Sequence, residues 1–456
     1  MKKGVLKKEK NGGFLPMVVV HPNAAGIDVG STLHAVAVPK DRDQESVRTF
    51  GSLSCDLEEI ACWLEKCGVD TIAMESTGVY WKPLFNYLTG KNFAVYLVNA
   101  RHVRHVTGRK TDQSDAEWIQ QLHTCGLLKG SYQPDHEQES LRALVRHRKT
   151  LVMESSRFVL RIQKALELMN IKLHTVISDL MGQSGIAVLE AIIAGERNAA
   201  NFLPLIHKRV KADREIIVKS LEGTWQSEQL FILEENYTCY KFFRTRIEKC
   251  DQSIYTALEH YCASQHSGEI FEEEKIVNEA PVEKKKNKNA PDFQTKFFLK
   301  HILGVDVLAI YGLSEISALE ILAEAGTDMS KWHTEKHFVS WLNLCPNNKI
   351  SGGRLISSMI MKKKPNPASQ AFRMAANAVQ RSDHWLGDYF RRMKSKGGNK
   401  YAIVATANKI ATIYYKMVKE KIEFSPLDLS QYQEKRKTAK IAYMERALAS
   451  LKKEIA

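Results

Sequence analysis

Cysteine is scarce in this 456-residue chain, and its eight copies form neither a CxxC pair nor a Cys/His spacing of the zinc type. Cys55, Cys62, Cys67, Cys125, Cys239, Cys250, Cys262 and Cys345 therefore read as reduced thiols of a cytoplasmic protein, not as a disulfide frame. No apolar run approaches the roughly 20 residues that cross a bilayer, so no membrane partner is expected. The basic stretch Met1–Lys10 has no apolar segment behind it, which argues against a signal peptide and for a basic arm over residues 1–23. There is no phosphate-binding P-loop and no internal repeat. Acid is in the minority as well: 52 Asp and Glu stand against 66 Lys and Arg, a net charge of +14. Such an excess suits nucleic acid better than a small substrate, although it says nothing about fold.

What is present divides the chain by texture. An apolar content of 44% over this length can bury two or three cores, and length alone suggests about three domains. Residues 24–136 alternate strand-like and helix-like segments. Gly26–Val38 and Val47–Leu53 read as strands, Leu57–Lys66 as a helix, and Thr71–Met74, Val79–Leu88 and Phe93–Val98 as strand, helix and strand. An opening group of strands followed by βαβ units predicts a mixed α/β sheet. Asp115–Leu128 then reads as an amphipathic helix through Ala116, Ile119, Leu122 and Leu127. Residues 137–263 carry two long helical patterns with much charge, as in an antiparallel coiled-coil arm for dimerisation; a plain helical bundle fits as well. Residues 264–296, with Glu272-Glu273-Glu274 and Lys284-Lys285-Lys286 around Pro281, read as a charged linker or insertion. A mostly helical unit is expected over 297–422, and a charged tail with a last helix near Ala439–Leu451 over 423–456.

Four carboxylates are oddly placed. Asp28 interrupts the apolar run Ala25-Gly26-Ile27-Asp28-Val29-Gly30, where a buried acid needs a partner or a metal. Gly26 and Gly30 allow backbone to approach closely beside it. The actin-like ATPases open on the same strand, but they require a second Asp-x-Gly strand and an adenosine-binding glycine turn, which this chain lacks. Glu75 ends the run Thr71–Met74 and precedes Ser76-Thr77-Gly78; a solvated strand end is the plain alternative. Asp112 and Asp115 lie three apart at a helix start, where acids also serve as caps. Together the four can converge on one sheet edge, and their mutual repulsion then calls for hard divalent cations. Two Mg²⁺ ions about 4 Å apart would bridge such a cluster and polarise a phosphate. Arg101, Arg104, Arg109 and Lys110, between Glu75 and the acidic pair, offer a basic approach for a phosphodiester backbone.

The helical C-terminal unit adds two motifs. Leu308–Ala318 has the form of a helix–hairpin–helix turn, in which backbone amides around Gly312 would receive a phosphate; Ser314 stands where a second glycine is usual. Ser351, before Gly352-Gly353 and flanked by Lys349 and Arg354, could be an exposed nucleophile whose oxyanion is held by basic side chains. Lys362 and Lys363 are further phosphate-facing candidates.

Gly26-Ile27-Asp28-Val29-Gly30, Met74-Glu75-Ser76-Thr77-Gly78-Val79-Tyr80, Lys110-Thr111-Asp112-Gln113-Ser114-Asp115-Ala116 and Leu344-Cys345-Pro346…Ser351-Gly352-Gly353 occur in this order. In that order the chain resembles the DEDD transposases of the insertion sequence 110 family, relatives of the Piv DNA invertase, over about residues 24–420. The resemblance implies an RNase H-like (RuvC-like) mixed-sheet domain, a coiled-coil dimerisation region and a mostly helical C-terminal transposase domain. It implies a composite active site in which Asp28, Glu75, Asp112 and Asp115 hold Mg²⁺ and Ser351 forms a phosphoserine link to DNA. It also implies a homodimer or homotetramer in the prokaryotic cytoplasm, at the nucleoid when acting, guided by a structured noncoding RNA. Two other readings stay open: a metal-dependent Holliday-junction endonuclease with water as nucleophile, and a non-catalytic nucleic-acid scaffold. The charged insertion, Ser314 and the basic N-terminus depart from the family pattern.

Overall fold

A computed structural model describes residues 18–76, 78–98, 112–265, 289–360 and 366–455. Strand β1 (Ala24–Val29) is buried along almost its whole length, as a strand covered on both faces must be. The Val- and Ala-rich stretch divides at a turn closed by the Gly30 amide, which donates to Leu33 O at 2.9 Å. β2 (His34–Ala37) returns antiparallel to β1, and β3 (Val47–Phe50) pairs antiparallel with β2. Helix α1 (Ser54–Lys66) leads to β4 (Thr71–Glu75), which pairs parallel with β1. Helix α2 (Trp81–Gly90) leads to β5 (Ala94–Val98), parallel to β4. The sheet order is β3-β2-β1-β4-β5, and α3 (Asp112–Thr124) follows it. These elements form one compact unit, within Met1–Gln133.

The two faces of this sheet differ in side-chain size. On one, Ala25, Ile27, Val29, Ile72 and Met74 pack with Leu57, Ile60 and Leu64 of α1 and Leu84 and Leu88 of α2. On the other, the strands present Gly26, Ala35, Ala37 and Ala73, and α3 settles on them through Ala116 and Ile119. A Cβ built on Gly26 would stand 2.3 Å from the Gln120 amide nitrogen and 2.4 Å from Ala116 O, so helix and strand backbones touch there. Leu127, expected on the buried face of this helix, is 58% exposed. The helix has ended at Thr124, and Gly126 at φ +67° turns the chain away.

The second unit lies within Pro134–Ala456. Helix α4 (His136–Leu168) starts at Asp135, whose carboxylate accepts the Gln138 amide at 2.8 Å. Short helices α5 (Leu173–Val176), α6 (Gln183–Ile193) and α7 (Arg214–Ser220) gather around an apolar cluster that includes Leu189, Phe202 and Leu221. Helix α8 (Ser227–Gln265) then runs back along α4, with Phe158 stacked on Phe243 and the buried Arg148 paired with Asp251. After α9 (Thr295–Leu303) comes α10 (Glu315–Ala325), whose Glu324 receives Arg146 in two hydrogen bonds of 2.7 and 2.9 Å. Lys149 pairs with Glu320 at 2.9 Å, so α4 and α10 belong to one body. Helix α11 (Glu335–Trp341), the hairpin β6 (Asn347–Ser351) and β7 (Arg354–Met359), α12 (Pro367–Ala378), α13 (Trp385–Glu420) and α14 (Leu429–Ile455) complete the unit. The last helix begins well before the expected Ala439.

Two consequences of the α3 packing can be measured. Gly26→Ala forces α3 off the sheet and is expected to cost about 2–4 kcal/mol, read as a lowered thermal midpoint; an unchanged midpoint contradicts the close approach. His123, at the C-terminal end of α3, is buried with its Nε2 2.9 Å from Thr71 Oγ1. The threonine hydroxyl donates to Ala94 O at 3.2 Å, so the imidazole supplies the proton of the shared bond. Burial, reinforced by the neighbouring His21, pushes its pKa down to about 4. The unfolded imidazole takes up a proton near pH 6.5 while the folded one does not. Stability is therefore present above pH 6.5 and drains as the pH falls toward 4, by up to about 3 kcal/mol. His123→Gln is expected to flatten the pH dependence of the thermal midpoint over that window.

Candidate functional site

β1 and β4 are parallel and in register to Ile27 and Met74, and Asp28 and Glu75 are the next residue on each. Ile27 and Met74 point into the core under α1 and α2. By alternation, Asp28 and Glu75 belong to the opposite face, the one that α3 covers. Asp28 is half-buried and Glu75 is buried; Ser76, just after it, donates its amide to Val98 O at 3.1 Å and holds the strand end against β5.

Helix α3 runs opposite to β1. Near its C-terminal end the Gln120 side chain donates to Ala24 O at 3.3 Å, and Thr124 O accepts the Val20 and His21 amides at 2.8 and 3.0 Å. Its N-terminal end is consequently carried toward the ends of β1 and β4. From the contact of Gly26 with Ala116, two strand residues lead to Asp28, about 7 Å along β1. Gly26 meets α3 between Ala116 O and the Gln120 amide nitrogen, so a similar distance back along the helix reaches its first turn, Asp112 to Asp115. Half-buried Asp115 stands in that turn and Asp112 begins it. The fold brings Asp28, Glu75 and Asp115 to one end of one sheet face and starts the helix that carries Asp112 there. Among the described residues, no three His, Cys, Asp or Glu side chains are gathered as a metal site. The donor set suits a hard divalent ion: carboxylate oxygens at the strand ends, without thiolate or imidazole. Arg101, Arg104, Arg109 and Lys110 lie outside the described residues, as do Lys362 and Lys363.

In the second unit, the segment around Ser351 is a tight hairpin. Ser351 and Arg354 pair across it, and the two turn residues Gly352 and Gly353 both have positive φ, +56° and +75°. Such a two-residue turn requires that conformation, and only glycine adopts it at no cost. Ser351, Lys349 and Arg354 are all exposed, and Lys349 pairs with Ser357. The serine therefore stands at the tip of a projecting hairpin with cations on both strands. Gly312 has a packing reason of its own: φ is +87°, and a Cβ would stand 2.4 Å from Ala375 O of α12. Ser314 caps α10, its hydroxyl accepting the Ser317 amide at 3.3 Å. That capping role accounts for serine in place of the usual second glycine.

One basic feature escaped the sequence reading. Helix α13 breaks at Gly397 and Gly398, the latter at φ +79°, and exposed Lys394, Lys396 and Lys400 surround the break. The signal was legible as two adjacent glycines inside a helical pattern with lysines on either side.

Two family models match this chain. The DEDD transposase model of the IS110 family matches residues 25–171, which hold the acidic face, and the model described as "Transposase IS116/IS110/IS902 family" matches residues 306–391, which hold the serine hairpin. A search of curated proteins found no match. A DEDD domain is consistent with an RNase H-like fold, as the mixed five-stranded sheet is, and it implies dependence on a divalent metal. With both models matched in order over about half of its length, the chain belongs to the IS110 family of transposases, enzymes that act on DNA.

Proposed function

We propose that this transposase excises and inserts its own mobile element through a covalent phosphoserine intermediate at Ser351, with the carboxylates of the sheet end supporting the chemistry. The observation that carries the reading is the packing of α3 on β1, which puts Asp28, Glu75 and Asp115 on one face and aims the helix of Asp112 at the same end. A divalent cation held by Asp28, Glu75, Asp112 and Asp115, Mg²⁺ in this reading and two per site, would neutralise charge developing on a phosphate.

The chain's own groups do the rest. Ser351 Oγ attacks phosphorus, the Oγ–P bond forms, and one strand end leaves as a hydroxyl that takes the serine proton. Reversal by the hydroxyl of a new strand restores a phosphodiester and frees the serine, so exchange needs no nucleotide hydrolysis. The fixed cations Lys349 and Arg354 stabilise the negative charge that builds on the phosphate oxygens. Arg101, Arg104, Arg109, Lys110, Lys362 and Lys363, with the lysines at the α13 break, would contact nucleic-acid backbone. The enzyme in this reading works as a dimer or tetramer guided by a structured noncoding RNA of the element. Family membership and the +14 charge support that part.

Ser351→Ala is expected to abolish both strand exchange and a DNA adduct that survives denaturation. Asp115→Asn is expected to slow adduct formation about 100-fold or more while leaving DNA binding intact. Undiminished cleavage without an adduct in Ser351→Ala would instead identify a nuclease that uses water. Strand exchange at full rate without RNA would remove the guide from the reading.

A further inference from the structure

The last helix leaves an apolar seam uncovered. A ring contact and two polar contacts fasten α14 to α13: Tyr432 against Trp385 with ring centroids 5.7 Å apart, Arg392 donating to the Tyr432 hydroxyl at 2.9 Å, and Arg436 paired with Asp388 at 3.0 Å. Beyond Arg436 the helix continues to Ile455. There Ile441, Met444 and Leu448 are 57%, 57% and 55% exposed, and the sequence continues the same spacing with Leu451 and Ile455. Steps of 3, 4, 3 and 4 residues are the a and d positions of a heptad, not the broader stripe of a helix that lies on a globular core. The seam runs about 21 Å.

We infer that residues 441–455 of α14 form a parallel two-stranded coiled coil with the same segment of a second copy of this chain. The apolar spacing and the charges beside it select that occupant. With Ile441 at position a, Lys440 takes position g and Glu445 the following e. In a parallel pair the g residue of one helix faces that e residue of the other, so Lys440 meets Glu445 of the second copy twice about the two-fold axis. An antiparallel pair sets g against g and loses this match. Ile441, Leu448 and Ile455 take position a, and Met444 and Leu451 position d, so all five seam positions are apolar. The seam stops where the pattern would next place Lys437 and Glu434, just where α14 comes to rest on α13. The inference does not depend on the phosphoserine reading, and it concerns a surface far along the chain from Ser351.

The test uses the full chain carrying Met444→Cys under mild oxidation, with the unsubstituted chain and its eight native cysteines as control. A parallel pair in register puts the two introduced thiols opposite each other, and a disulfide-linked dimer well above the control is expected. Adding Ile441→Glu and Leu448→Glu should lower its yield at least about tenfold. Lys440→Glu and Glu445→Lys should each reduce the yield several-fold, and together in one chain they should restore it. Since these five positions are all exposed, an unchanged thermal midpoint serves as the folding control. No dimer above control, an equal yield from Tyr443→Cys on another face, or failure of the double reversal to restore the yield overturns the inference. A seam that instead binds nucleic acid or another part of this chain gives the first of those results.

Discussion

The contact of α3 with β1 at Gly26 is the constraint on which the acidic face depends. Helix and strand backbones can meet at that distance only because the sheet presents glycine and alanine on that side. A larger side chain at Gly26, Ala35, Ala37 or Ala73 would lift the helix and, with it, the carboxylates it carries. Gln120 and His123 fasten the far end of the helix to Ala24 and Thr71, so its direction is set by buried polar bonds as well as by packing. The position of the acids at one end of α3 is thus secured by interactions at the other.

The two matched regions solve opposite problems. In the proposed chemistry, carboxylates have to be gathered against their own repulsion, and the first unit carries its acids on rigid secondary structure, where small positional errors are costly. A serine nucleophile in the proposed chemistry has to reach a phosphate in a bulky polymer. The second unit carries Ser351 on a two-residue turn that projects into solvent, and glycine at positive φ keeps that turn as short as a hairpin allows. The salt bridges between α4 and α10 hold the base of that unit together, so the hairpin extends from a firm scaffold.

Much of this was legible in the residues, and the omissions have physical causes. Asp28 announced itself as an acid in a buried strand, and Gly26 beside it as a place of close approach. The level at which the start of α3 meets the end of β1 was not legible, because strand register and helix direction come from pairings between residues far apart in the chain. Leu127 kept the helical spacing but followed the residue where the helix ends, and only the left-handed Gly126 reveals the stop. A hairpin at Ser351-Gly352-Gly353 is at odds with the mostly helical unit expected there, although two adjacent glycines are themselves a signal for a tight turn. The α14 seam went unnoticed within a segment whose charge dominated its appearance. Ser314 was counted a departure from a motif, and the structure supplies its reason as a helix cap.

The central claim is that the face made by β1, β4 and the start of α3 holds a divalent cation. Calorimetric titration of Mn²⁺ into the full chain, repeated with Asp28→Asn, tests it without any DNA or turnover. The account predicts binding in the unsubstituted chain that weakens about 10-fold or more in the variant while its thermal midpoint is kept. Equal Mn²⁺ affinity in the two chains would contradict it.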